Sequence, residues 1–207
     1  ATVLISIIGR GIDSGTSKGY KTINYKFDNG DEHNTSVFGS ALLKYLKATG
    51  RNVDKWLILG TSQSNWCDLP YMFDEETCLN FQEQQNALIK ELKKSADKSI
   101  GSGGRWGGVT EKELQVWQDL LTANLSGTGI ICREVGYATY QESADKIIQS
   151  LLEVIGEGSE VVFDVTHGFR TLPIVISFAL MYLRWLKNIK TVELFYGAEA
   201  EEIKGQV

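Results

Sequence analysis

The run Thr2 to Ile8 (TVLISII) constrains this chain more than any other stretch, because apolar and β-branched side chains follow one another in it almost without interruption. A strand with one wet face alternates polar and apolar residues, whereas a strand covered on both faces reads as one apolar block. The run therefore predicts a central strand with helices above and below it. Lys55 to Leu59 (KWLIL), Ile130 to Val135, Val161 to Val165 and Thr191 to Tyr196 read as further strands. Helical stretches separate them. Ser36 to Ala48 carries Val37, Phe38, Ala41, Leu42, Tyr45 and Leu46 on one stripe, and Leu79 to Lys98 reads as a helix polar on one side. Thr110-x-x-Glu113 is a capping box opening a helix that bears Leu114, Trp117, Leu121 and Leu125. Ser143 to Ile155 turns Ile147, Ile148, Leu151, Leu152 and Ile155 inward. Pro173 sits near the start of the last helix, where its missing N–H costs little. Strands alternating with helices define an α/β chain: a Rossmann-like, mostly parallel sheet with helices on both faces.

Tyr20 to Phe27 alternates and ends at Asp28-Asn29-Gly30, which predicts a strand running into a turn. Leu172 to Leu183 is the longest apolar run; it falls short of the ~20 residues of a membrane span and reads as a buried helix. The 207 residues, 43% hydrophobic and 23% charged, suit one domain, assigned to residues 1–197. Residues 198–207 (AEAEEIKGQV) lack core periodicity and read as a tail, or the start of a linker to an effector domain absent from the chain.

A net charge of -5 disfavours broad binding to duplex nucleic acid, which needs a basic face. It leaves open a compact anion held by local groups. Cys67, Cys78 and Cys132 are odd in number and form no CxxC pair, so neither a disulfide framework nor a zinc knuckle is expected, and the setting reads as reducing and cytoplasmic. No metal, cofactor or membrane contact is expected.

In a parallel α/β sheet, ligands sit outside the carboxyl ends of the strands. Three strand ends stand out: Gly9-Arg10-Gly11, then Gly60-Thr61-Ser62-Gln63-Ser64-Asn65-Trp66, then Asp164-Val165-Thr166-His167-Gly168-Phe169-Arg170. Glycine lets the backbone approach a phosphate, and hydroxyls and N–H groups then donate to it. The first loop misses the dinucleotide fingerprint GxGxxG, since Ser14 stands where glycine is needed, and a plain glycine turn explains it as well. The second nearly matches the nucleophile elbow G-x-S-x-G around Ser62, but Ser64 replaces the last glycine; the bland reading of both serines is turn capping.

The third loop is the sharpest. Asp164 closes a buried strand, where an unpaired carboxylate is costly, so it is expected to accept from loop N–H groups or from Thr166. His167 is one of 2 histidines with no ligand cluster around it; it reads equally as a structural hydrogen-bonder or a ligand contact. Gly168 allows close approach, and Arg170 lies beside a helix N-terminus, where the cation and the dipole together favour phosphate. Arg105 and Trp106, inside the glycine cluster Gly101 to Gly108, read either as a lid that meets a phosphate and stacks on a base or as a surface loop. Glu91-Leu92-Lys93 has the ExK spacing of some nucleases, but a solvated helix face explains it better. The Arg-x4–6-His spacing of HEPN ribonucleases is absent.

The string Asp164 to Arg170 resembles the DxTHG motif of a group of CRISPR-associated proteins. Gly60-Thr61 followed by Ser64 and Trp66 resembles the second motif of that group, and the opening strand with Gly9 resembles its start. The likeness runs over essentially the whole chain and is to the CARF domain, the CRISPR-associated Rossmann fold. It implies a homodimer, or a higher oligomer built from dimers, that binds cyclic oligoadenylate (cyclic tetra- or hexa-adenylate) across its twofold axis. It also implies a sensor role in type III CRISPR antiviral defence: the ring allosterically switches an attached effector, often a HEPN ribonuclease, in other members a deaminase, nuclease or membrane segment. Some members cut the ring without metal, by 2′-OH attack that leaves 2′,3′-cyclic phosphate ends; Ser62, Ser64, His167 and Arg170 are the candidates for that chemistry. Trp66 and Trp106 are the candidates for stacking on adenine.

Overall fold

A computed structural model describes residues 1–13, 18–19, 22–96, 108–136, 141–168 and 171–198 of the chain. The elements run β1 (Thr2–Ile8), β2 (Ile12–Asp13), β3 (Lys18–Gly19), β4 (Ile23–Lys26), β5 (Glu32–Thr35), α1 (Phe38–Ala48) and β6 (Lys55–Gly60). A 3-10 helix (Trp66–Met72) follows, then α2 (Glu75–Gln84), α3 (Asn86–Ala96), α4 (Glu111–Ala123), β7 (Gly129–Glu134), α5 (Gln141–Val154), β8 (Glu160–Asp164), α6 (Thr171–Leu186) and β9 (Thr191–Phe195).

Five strands form one sheet in the order β7-β6-β1-β8-β9, and every neighbouring pair is parallel. The apolar block of β1 lies at its centre, as a strand with no wet face must. Alternation then sorts its side chains. Leu4 and Ile8 join Trp56, Ile58, Phe38 and Leu42 in a core under α1, the 3-10 helix and α2 to α4. Val3, Ile5 and Ile7 join Leu57, Leu59 and Phe163 in a second core under α5 and α6. The expected α/β sandwich is thus present.

The edge strand β7 is closed by side chains. Thr122 Oγ1 accepts from the Ile130 amide at 3.1 Å and Gln118 Oε1 from the Cys132 amide at 3.1 Å, both from α4. The capping box at Thr110 and Glu113 opens α4 as its spacing predicts.

Three expectations need correction, and one element was not anticipated. The strand expected over 20–27 is shorter, and it pairs antiparallel with β5, which the polar sequence EHNT conceals; residues 20 and 21 lie outside the described set. The helix expected over 79–98 starts earlier, at Glu75 behind an Asp74 cap, and breaks at Gln85, whose φ of -104° and ψ of 16° leave the helical well. The 3-10 turn around Pro70 had no periodic signal. The helix read as buried, α6, buries only one side, through Leu172, Ile176, Leu180 and Leu183. Ile174, Phe178, Met181, Tyr182 and Trp185 face solvent at helical spacing, with Trp185 90% exposed. Leu194 and Tyr196 are exposed on and just beyond β9. Among the described residues no helix is long and apolar enough to cross a membrane.

Candidate functional site

The chain order of the sheet reverses between β1 and β8: β6 and β7 extend one flank, β8 and β9 the other. At such a switch point the following connections part to opposite faces and leave a crevice beyond the strand ends. The glycine loops after β1 and β8 meet there, and β6 delivers its loop from the other side of β1.

The β6 loop is knitted to β1. Ser64 Oγ donates to the Ile8 carbonyl at 2.9 Å and accepts from the Thr61 amide at 2.8 Å, and the Asn65 amide donates to the Gly9 carbonyl at 2.8 Å. Gly60 has no room for a side chain, since a Cβ would lie 2.8–2.9 Å from Trp66, Ile8 and Ser64. These contacts bury Gly9, Gly60, Thr61 and Ser64 and leave Ser62, Gln63 and Asn65 partly accessible, with Arg10 exposed beside them. Turn capping, the bland reading of Ser64, is thus what its contacts describe. Trp66 is 1% exposed and its indole N–H donates to the Thr61 carbonyl at 2.9 Å, so its ring is core and offers no face for stacking. Chain returning from the glycine cluster reaches this loop: the Val109 amide donates to the Ser62 carbonyl at 2.7 Å, and Gly108 lies against Ser62. Arg105 and Trp106 lie outside the described residues, as do Phe169 and Arg170.

The β8 loop is built on Asp164. Its Oδ1 accepts from the Thr166 amide at 2.9 Å, as expected of a carboxylate closing a buried strand, while its buried Oδ2 has no hydrogen-bond partner. Burial pushes its pKa up to about 6, partly offset by the Thr166 amide. Gly168 takes a φ of +98° and lies so close to Ile7 of β1 that a Cβ would sit 2.3 Å from Ile7 Cγ2. The loop therefore crosses the end of β1 as only glycine permits.

His167 points to α1. Its Nε2 accepts from the Phe38 amide at 3.4 Å, in place of the side-chain cap that Val37 does not supply. Nε2 as acceptor puts the proton of the neutral ring on Nδ1. Burial lowers the His167 pKa to about 4, so the ring is neutral at pH 7. Thr166 reaches the other way: its Oγ1 accepts from the Gly197 amide, just beyond β9, at 2.8 Å.

Away from this crevice, a cleft of about 240 Å³ between α4 and β7 is lined by Glu111, Gln115, Arg133 and Glu134 among others. Two carboxylates against one guanidinium make it a poor seat for an anion. Among the described residues no group of three or more potential metal ligands occurs.

Two features escaped the reading of the sequence: the Phe38 amide, a backbone group no side-chain pattern reveals, and the outer stripe of α6. The stripe was visible as the spacing 174, 178, 181, 182, 185, but the apolar residues on its other side hid it.

A wholly parallel doubly wound sheet with polar, glycine-bearing loops at its switch point defines a Rossmann-like α/β domain. The chain belongs, more particularly, to the family described as "CRISPR system endoribonuclease Csx1, CARF domain", which matches residues 3–204. It is also 28% identical over 202 residues to CRISPR-associated protein MJ1674 of Methanocaldococcus jannaschii, a match covering 94% of this chain and 31% of that protein. The chain thus spans about a third of the length of that curated relative.

Proposed function

We propose that this chain is a sensor domain: two copies pair about a twofold axis, hold a cyclic tetra- or hexa-adenylate across the cleft, and so control an attached effector in type III CRISPR antiviral defence. The observation that carries this reading is the convergence at the switch point of three loops rich in glycine and hydroxyl groups. Such loops suit phosphates and ribose hydroxyls, because they offer backbone N–H groups and short donors without the cost of ordering long side chains. Arg10 beside them, and Arg170, next in sequence before Thr171 of α6, supply the cations.

The pairing reading rests on α6. Its exposed apolar stripe carries no charge, and the helix begins three residues after Gly168, so the stripe is continuous with the loop that receives the ligand. A ring of repeated units calls for the same loops twice, and a self-complementary face beside them provides this. The occupant of the stripe is therefore a second copy of the chain.

Holding is favoured over cutting by His167. Its Nε2 is engaged by Phe38 and burial keeps it uncharged, so it brings neither a cation nor an available base to a scissile phosphate. The test is calorimetry of the chain with cyclic tetra- and hexa-adenylate, followed by chromatography of the recovered nucleotide. Intact ring, bound at one per two chains, is expected. Linear products with 2′,3′-cyclic phosphate ends would make the domain a ring nuclease, and failure to bind either ring would overturn the proposal.

A further inference from the structure

The turn between β4 and β5 holds a reactive pair of residues. Asn29 is the one asparagine of the sequence followed by glycine. Both Asn29 and Gly30 are exposed at the tip of the hairpin. A glycine amide has no Cβ beside it, so its nitrogen can approach the carboxamide of the residue before it. Every other asparagine precedes a residue whose side chain crowds that approach. Gly30 takes a φ of +88°, and nothing lies within 4 Å of its missing Cβ, so the turn stands clear of the molecule on that side.

Hydrogen bonds govern how readily the two groups meet. The Gly30 amide donates to the Phe27 carbonyl at 2.9 Å, and the Phe27 amide donates to the Asp31 carbonyl at 2.9 Å, which closes the neck of the turn. Asp31 holds both ends of the Asn29 carboxamide. Asn29 Oδ1 accepts from the Asp31 amide at 3.0 Å, the bond of an Asx-turn, and Asn29 Nδ2 donates to Asp31 Oδ2 at 2.7 Å. The attacking nitrogen thus has its proton engaged, and the carbon it must reach has its amide plane fixed.

We propose that Asn29 is a modification site, where the chain deamidates itself through a succinimide, and that the Asp31 side chain restrains the reaction. The Gly30 nitrogen loses its proton to solvent base and bonds to Asn29 Cγ. The Cγ–Nδ2 bond then breaks, and Nδ2 takes a proton from water and leaves as ammonia. Water opens the five-membered ring at Cγ to give aspartate, or at the Asn29 backbone carbonyl to give isoaspartate. One water is consumed and one ammonia released, with no change of oxidation state. Asp31 opposes the first step in two ways. Its carboxylate ties Nδ2 and so hinders rotation of Cγ towards Gly30. Its charge also repels the oxyanion that forms on Oδ1. The Asp31 amide, which steadies that oxyanion, remains in every side-chain variant. The product carries one more negative charge beside Asp28 and Asp31. Isoaspartate also adds a backbone atom to a hairpin that lays Tyr25 and Phe27 on Phe38 and Tyr45.

Peptide mapping by mass spectrometry, after days in mildly alkaline buffer, reads the reaction. The peptide bearing Asn29 is expected to gain the mass of an amide-to-acid conversion and to accept a methyl group from protein isoaspartyl methyltransferase, ahead of peptides bearing the other asparagines. Asp31→Ala should speed the conversion about five- to tenfold, the worth of one lost hydrogen bond. Asp31→Asn, which keeps an acceptor but drops the charge, should fall between. Wild-type chain unfolded in urea should convert faster than the folded chain. An Asn29 that stays intact in the folded alanine variant would overturn the site. Equal or slower conversion in that variant, or equal rates in folded and unfolded wild type, would overturn the restraint by Asp31.

Discussion

The Nε2 atom of His167 accepts the amide hydrogen of Phe38 across 129 residues of sequence, at 3.4 Å. This bond makes one histidine the cap of a helix it does not belong to, and it fixes the charge state of the ring, since a protonated Nε2 cannot accept. Burial acts at both ends of this loop, lowering the pKa of His167 and raising that of Asp164, so the two shift in opposite senses on folding.

For His167 the folded value of about 4 lies below the ordinary 6.5, so the unfolded chain takes up the proton first as pH falls. Its contribution to stability is whole above pH 6.5 and is lost as pH falls through 4. For Asp164 the folded value of about 6 lies above the ordinary 3.8. Its contribution is whole below pH 3.8 and is lost as pH rises through 6. The two slopes oppose each other between pH 4 and 6. Asp164→Asn removes one of them, and the stability of that variant in urea titrations should rise from pH 4 to 6.5 by on the order of 1–3 kcal/mol more than in wild type. His167→Gln, which keeps an acceptor for Phe38, should show the opposite trend. Parallel profiles for the two variants would contradict the assigned environments.

Gly168→Ala tests the close approach of the β8 loop to β1. Gly50 offers the control: its φ is +80° but nothing lies within 4 Å of its missing Cβ. Alanine at 50 should cost only the ~1 kcal/mol of a left-handed backbone. Alanine at 168 should cost a further ~1–3 kcal/mol from crowding Ile7 and should weaken ring binding. Equal urea midpoints for the two variants would mean that the loop rides clear of β1.

Arg51→Ala probes the far end of the sheet. Its guanidinium donates to both carboxylate oxygens of Glu193 in β9, at 3.1 and 2.9 Å, and lies 3.7 Å from Glu160 at the start of β8. The pair is partly exposed, so the loss should stay under ~1 kcal/mol, with ring affinity unchanged. A tenfold loss of affinity in calorimetry would place the ligand at the wrong end of the strands.

Trp185→Glu combined with Phe178→Glu places charge in the middle of the exposed α6 stripe. Sedimentation velocity should show the pair of chains replaced by single ones, and ring binding should fall with it. A variant that stays paired would move the interface elsewhere.

Most of the fold was legible because burial on both faces leaves a mark in composition. β1, β6 and β8 are apolar blocks, and the capping box of α4 needed only Thr110 and Glu113. Elements held by context left no such mark. The polar β5 exists because β4 lies beside it, and the break at Gln85 sits among residues that all accept a helix. At the candidate site, the sequence pointed to strand-end loops that the fold brings together, but not to how each side chain is used there. Trp66 is an instance: its residue type suggested stacking, while its neighbours Trp117 and Thr61 hold it in the core, Trp117 through an N–H to the Trp66 carbonyl at 2.9 Å. Orientation of that kind is decided by packing, which a motif does not record.

The plugging of β7 by Gln118 and Thr122 has a consequence for assembly. Two outward amides on that margin are already spent within the molecule, so an incoming strand finds no ladder to continue there. A sheet blocked along one border cannot lengthen from both ends into a fibre. Open-ended growth by strand addition is thereby shut off on the β7 side of the sheet.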